Sequence, residues 1–287
     1  MTTAAATWEP ELLPGGPMEL YGRGTTFVRD SGGAGTPVLL LHGLGANADL
    51  NWLPSYRPLV EAGHRVITID HRGHGRGIRP DDRRFRLADC ADDAAAVLDR
   101  LGLDHVVAVG YSMGGPISQL LWKRHPPRVA ALVECATARY FLSRHRRPVA
   151  RRTLPGFFTL LRQMPTDRRE ALRDRLFRQN LDDDPRVGWF RAEGDRNDRD
   201  VVLDAARAVS TFSSRTWIGA FAECGKPAVS VITTEDRLVP PHRQRGLAKA
   251  IGAQVLDAEA NHLDCTLNPD RFVPALMEAV GAAANRL

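Results

Sequence analysis

Short, nearly continuous apolar runs recur along the chain and alternate with stretches of helical periodicity. The runs Pro37–His42, Arg65–Asp70, His105–Gly110, Arg128–Glu134, Pro227–Thr233 and Ala253–Leu256 predict strands. They are apolar on consecutive positions rather than on alternate ones, the pattern of strands covered on both faces. Between them, Leu87–Leu101, Met113–Arg124, His242–Ile251 and Arg271–Ala284 predict helices. In the first of these, Ala91, Ala94, Ala95, Leu98 and Leu101 fall on one helical face and Gly102 closes it. Glu19–Tyr21 and Thr25–Val28 read as an opening antiparallel pair, with Pro14–Pro17 as the loop leading in. Alternation of β and α elements implies a mostly parallel sheet with helices on both faces.

The rhythm breaks between about Thr137 and Trp217, where strands vanish and Arg and Asp accumulate. Phe157, Leu160, Leu161 and Met164 form an apolar stripe at i, i+3, i+4, i+7 spacing. The βα pattern resumes at Pro227. The block is too long for a structureless loop and reads as a helical cap, 137–217, inserted between core segments 1–136 and 218–287.

Composition narrows this picture little. A chain of 287 residues with 43% hydrophobic and 25% charged residues is ordinary globular material. The four cysteines are far apart and match no zinc-ligand spacing, so reduced thiols and no metal are expected. Residues 1–16 show no positive segment followed by an apolar one, and no run reaches membrane-spanning length; a cytoplasmic protein is the expectation. The net charge of +5 is carried by arginine, with lysine only at 123, 226 and 249. No nucleic-acid motif accompanies it. Between Arg139 and Asp200 sixteen arginines face ten acidic residues. That excess raises the alternative of peripheral contact with anionic lipid or an acidic substrate; a solvated helical face is the simpler reading.

The chemistry concentrates at Gly110-Tyr111-Ser112-Met113-Gly114, a G-x-S-x-G pentapeptide directly after a predicted strand and before a predicted helix. Such a turn holds the serine in a strained conformation with its hydroxyl presented, and glycines on either side remove clashing Cβ atoms. A serine hydroxyl needs a base to become a nucleophile, and a histidine base needs a carboxylate to set its tautomer. A strand–turn–helix serine of this kind is followed in the chain by the acid and then by the histidine. Asp236, in the loop after Pro227–Thr233, and His262, in the loop after the next strand, fit that order. Glu235 is the local rival for the acid, whereas Asp264 is too near His262 in sequence. A turn cap at Asp236 and an ordinary loop histidine at 262 are the non-catalytic alternatives. An oxyanion also requires donors. The backbone N–H groups of Met113 and of Leu44, in His42-Gly43-Leu44-Gly45, are the candidates, with His42 itself structural.

These residues, together with Asp70-His71-Arg72-Gly73-His74-Gly75 and Asp236-Arg237-Leu238-Val239-Pro240, resemble the α/β-hydrolase superfamily, in its capped serine esterase, lipase and acylglycerol-lipase branch. The resemblance implies a structural role for Asp70, Arg72 and His74, and a cap that shapes the substrate pocket. Asn261 stands before the histidine where the family often has glycine. Members that open epoxides or cleave haloalkanes carry aspartate at the elbow, so Ser112 implies acyl transfer to water, with no cofactor. A small lipophilic ester, of lipid type among others, is the expected substrate. Carbon–carbon bond hydrolysis in a vinylogous diketone, cofactor-free haloperoxidase chemistry, or a non-catalytic ligand-binding member are the alternatives. Oligomeric state is not readable.

Overall fold

The computed structural model describes residues 8–82, 84–142 and 186–287. Eight strands form one sheet in the order β1-β2-β4-β3-β5-β6-β7-β8. They are β1 (Gly15–Leu20), β2 (Gly24–Asp30), β3 (Pro37–Leu41), β4 (Arg65–Ile69), β5 (Val106–Tyr111), β6 (Val129–Cys135), β7 (Ala228–Thr233) and β8 (Gln254–Ala258). β1 and β2 run antiparallel to their neighbours, and the pairs from β4 through β8 are parallel. The predicted core strands therefore all form, within a residue or two of their expected ends. One expectation fails: Gly15–Pro17, read as a loop, belongs to β1. This strand lies at the sheet edge, where a proline lacking an N–H is tolerated.

Strand residues alternate between two apolar layers. Leu39, Leu41, Ile67, Ile69, Ala108 and Leu132 pack on one face with helices α2 (Leu87–Arg100) and α3 (Gly114–Arg124). Val38, Leu40, Val66, Val107, Val109 and Val133 pack on the other with α1 (Ala48–Glu61) and the carboxyl-terminal helix Val273–Ala284. Burial on both faces explains why the runs are continuously apolar rather than alternating.

Helix α1 is not predicted by the pattern, because Pro54 and Pro58 lie inside it. A proline at 54 has no N–H to give the carbonyl four residues back, Leu50 O. Thr266 Oγ1 donates to that oxygen instead, at 2.6 Å. Asn47 caps the helix by accepting from Leu50 N at 2.8 Å.

Of the expected cap, residues 137–142 and 186–217 are described; the stripe Phe157, Leu160, Leu161 and Met164 lies outside the described residues. The two described flanks meet in an isolated antiparallel bridge between Tyr140 and Ser213. Two helices follow one another here, α4 (Val187–Asp195) and α5 (Arg199–Thr211). α5 buries Val201, Ala205 and Val209 against the core, and a Cβ on Gly73 would lie 2.1 Å from the Val201 side chain. No helix among the described residues is long and apolar enough to cross a membrane.

Candidate active site

The chain leaves β3 for β4 on one side and then crosses to β5 on the other, so β3 and β5 are neighbours at the point where the strand order reverses. Loops after two such strands diverge and leave a crevice at their carboxyl ends. The loop after β3 carries Gly43, Leu44 and Gly45, and the turn after β5 carries Ser112.

Ser112 has φ of 51°, the left-handed region that non-glycine residues rarely occupy. Close approach of backbone on all sides holds it there. A Cβ on Gly110 would lie 2.6 Å from Gly114 O, and one on Gly114 would lie 2.0 Å from Leu41 O, so both positions require glycine. Thr137 Oγ1 donates to Ser112 O at 2.7 Å, and Ser112 N donates to Cys135 O at 3.0 Å.

His262 Nε2 lies 2.9 Å from Ser112 Oγ, and its Nδ1 lies 2.7 Å from Asp236 Oδ2. Asp236 Oδ1 accepts from Leu238 N and Val239 N, at 2.8 and 2.9 Å, while Oδ2 accepts from Thr233 Oγ1 at 2.9 Å. A carboxylate that only accepts makes His262 Nδ1 the donor, which leaves Nε2 free to accept from the serine hydroxyl. Ser112, Asp236 and His262 are thus brought together across 150 residues of sequence. Glu235 instead pairs with Arg271. Asp264 accepts from Asn261 N and Asn268 Nδ2 and so stays within the histidine loop.

Three supporting residues had no signal in the sequence. Gln244 donates to Thr233 Oγ1 (2.8 Å) and Val239 O (2.7 Å), bracing the acid loop from the helix Pro241–Ile251. Tyr111 OH donates to His262 O at 2.8 Å and fixes the histidine's own backbone. Asn51 Oδ1 accepts from Gly43 N at 2.8 Å.

The oxyanion candidates occupy the same crevice. A Cβ on Gly43 would lie 3.4 Å from Ser112 Cβ, in van der Waals contact. His42 Nδ1 donates to Gly43 O at 2.8 Å, and Nε2 accepts from His71 N at 2.9 Å. In a trans peptide the N–H points opposite to the C=O. Tying Gly43 O to His42 therefore turns the Leu44 N–H away from His42. Leu44 exposes its side chain and Met113, next to Ser112, is buried. The residues of the Asp70–Gly75 turn are engaged in packing and pairing: Asp70 accepts from Ala48 N and Arg76 N, Arg72 pairs with Asp93, and His74 is buried beside His42. No group of three His, Cys, Asp or Glu side chains among the described residues is arranged to hold a metal.

Beneath the elbow, Ser118 Oγ stands 2.7 Å from both Gly115 O and Glu134 Oε1. A hydroxyl carries one hydrogen, and a carbonyl only accepts. Both contacts are satisfied when Glu134 is protonated and donates to Ser118, which donates to Gly115. Full burial likewise pushes the Glu134 carboxyl well above the usual carboxylate range. The folded protein then holds a proton that the unfolded chain releases above about pH 4.5. Stability from this site falls as pH rises from there toward the folded value, by up to about 1.4 kcal/mol per pH unit. Glu134→Gln keeps a donor and removes the titration. It is expected to exceed wild-type stability in urea unfolding, by a margin that widens from pH 5 to pH 8; a margin independent of pH would contradict a protonated Glu134.

Residues 36–269 match the model of the α/β-hydrolase fold family. A putative carbamate hydrolase of Variovorax paradoxus is 41% identical over 99 residues, 34% of this chain and 37% of that protein. The 2-hydroxymuconate semialdehyde hydrolase of a Pseudomonas species is 38% identical over 115 residues, 39% of this chain and 40% of that protein. The chain thus aligns with well under half the length of these relatives. An esterase from Exiguobacterium antarcticum superposes with a TM-score of 0.76 at 20% identity, covering 92% of this chain and 98% of that one. With the family model spanning most of its length, around a mostly parallel sheet that carries a serine elbow, this chain belongs to the α/β-hydrolase fold family.

Proposed function

We propose that the protein is a serine hydrolase that cleaves carboxylic esters through an acyl-enzyme on Ser112. The observation that carries this reading is the unbroken hydrogen-bond chain from Ser112 Oγ through His262 to Asp236, with the serine held in a left-handed elbow. His262 Nε2 takes the serine proton as Oγ adds to the ester carbonyl. The N–H groups of Leu44 and Met113 stabilise the resulting oxyanion. The protonated imidazole, held by Asp236, gives its proton to the departing alcohol. Water then enters, loses a proton to His262 and releases the acid. Asp236 stays ionised throughout and keeps Nδ1 protonated.

Family membership and the named hydrolases among the relatives support hydrolysis as the reaction class. The likeness to 2-hydroxymuconate semialdehyde hydrolase favours a second reading, hydrolysis of a carbon–carbon bond in a vinylogous diketone on the same three residues.

The test is a panel of p-nitrophenyl esters of graded chain length beside a carbamate and a vinylogous diketone. Turnover of at least one ester, lost in Ser112→Ala, is the expected result. Ester rates equal in wild type and Ser112→Ala would overturn the ester reading, and Ser112-dependent turnover of the diketone alone would replace it with the second.

A further inference from the structure

The oxyanion loop is held from outside the core as well as from within it. On one side of Leu44, Gly43 N donates to buried Asn51. On the other, Gly45 O accepts from Asn197 Nδ2 at 2.8 Å, and Asn197 Oδ1 accepts from Gly75 N at 2.7 Å. Asn197 lies in the segment between α4 and α5, 152 residues from Gly45. Its neighbours bind the same turn of the core. Arg79 Nη2 donates to Arg196 O at 2.6 Å, and Asp198 N donates to Gly73 O at 2.8 Å. Asp198 also caps α5, accepting from Asp200 N and Val201 N, and α5 seats Val201 against Gly73. The side-chain amide of Asn197 is therefore fixed by the docking of α5 on the Gly73–Arg79 turn, and it in turn holds Gly45.

We infer that Asn197 is a positioning residue that couples the seating of α5, within the expected cap, to the placement of the Leu44 N–H. The inference rests on the reading of Ser112 as an acyl-transfer nucleophile. Gly45 has a positive φ of 73° and no side chain of its own to anchor it. Its carbonyl lies two residues before Asn47, which caps α1. With Gly43 tied to Asn51 and Gly45 tied to Asn197, the Leu44 N–H between them has little room to turn. A donor that is misplaced by an ångström loses much of its effect on a developing oxyanion. Release of Gly45 thus lowers the rate of the chemical step without altering contacts to the acyl chain or the alcohol.

Two variants separate the two contacts. Asn197→Asp keeps the acceptor for Gly75 N–H and presents oxygen, not nitrogen, to Gly45 O. Asn197→Ala removes both contacts. Each is expected to lower kcat on p-nitrophenyl acetate by about ten- to a hundred-fold with KM unchanged, and Asn197→Asp, which keeps the Gly75 bond, to retain the wild-type melting temperature. Phosphonylation of Ser112 by a fluorophosphonate, which also develops charge on that oxygen, is expected to slow in parallel. Wild-type kcat in both variants would overturn the coupling. So would wild-type kcat in Asn197→Asp alone, since the Gly75 tether would then suffice. If Asn197→Ala does not fold, Asn197→Asp decides by itself. Absence of Ser112-dependent turnover and labelling in the wild-type protein would overturn the hydrolase reading itself, and this inference with it.

Discussion

Ser112→Ala is expected to lower ester turnover by about 10⁴-fold or more, and Asp236→Asn by about 10⁴-fold, while leaving KM nearly unchanged. In the proposed mechanism the first substitution removes the group that bonds to the acyl carbon. It leaves the elbow intact, because alanine occupies the same left-handed conformation at similar strain and the backbone bonds of Ser112 are retained. The second acts through the tautomer. Leu238 N and Val239 N direct two hydrogens at one oxygen of residue 236, so an asparagine turns its own oxygen toward them. Its NH₂ then faces His262 Nδ1, which must accept. The ring hydrogen moves to Nε2 and points at Ser112 Oγ, so the histidine cannot take the serine proton. Steady-state kinetics on a p-nitrophenyl ester, with a melting curve to show that each variant is folded, measure both effects. A folded Asp236→Asn protein with wild-type kcat would remove Asp236 from the mechanism.

The three histidines packed beside the loop after β3 are expected to withdraw stability steeply as pH falls below about 6.5. The His42 ring lies 4.2 Å from that of His71 and 5.4 Å from that of His74, centroid to centroid. Burial pushes His42 down to about 4 and His74 down to about 3, and holds His71 well below its ordinary range. All three are neutral in the folded protein, whereas the unfolded chain protonates them below about pH 6.5. Between those limits the unfolded state binds more protons. The stability these groups contribute is therefore complete above pH 6.5 and is lost as pH falls toward the folded values. Each proton is worth about 1.4 kcal/mol per pH unit, so three approach about 4 kcal/mol per unit near pH 5, a large share of the about 5–15 kcal/mol typical of a domain. Urea midpoints from pH 7 to pH 4.5 measure the slope. Replacing His71 by leucine removes one of the three titrating groups, and the slope is expected to fall by about 1.4 kcal/mol per pH unit. An unchanged slope would mean that His71 is not buried neutral.

Different parts of the chain were legible in the sequence to different degrees. The core strands could be read from their continuous apolar runs, because burial on both faces suppresses the alternation that a one-sided sheet would show. Ser112 could be read because its turn needs glycine at 110 and 114, and backbone that approaches within a Cβ's reach leaves a mark in composition. The order of Asp236 and His262 followed from loops at the carboxyl ends of successive parallel strands. Helix α1 could not be read. Pro54 and Pro58 break its local pattern, and the oxygen freed by Pro54 is taken by Thr266, more than two hundred residues away in sequence. Gln244, Asn51 and Asn197 were equally invisible, since an amide side chain carries no periodicity and acquires a role only from what the fold sets opposite it.

By itself, then, the sequence determined the layered βα architecture and the glycine-flanked turn that presents Ser112, because hydrophobic period and glycine requirement are local properties of the chain. Only the tertiary structure decided which carboxylate faces His262, that buried Glu134 meets Ser118 beneath the elbow, and that Asn197, within the expected cap, holds Gly45 in the loop opposite Ser112. Each of these depends on the direction of one hydrogen between groups distant in sequence. Such directions exist only once the backbone has been brought within about 3 Å.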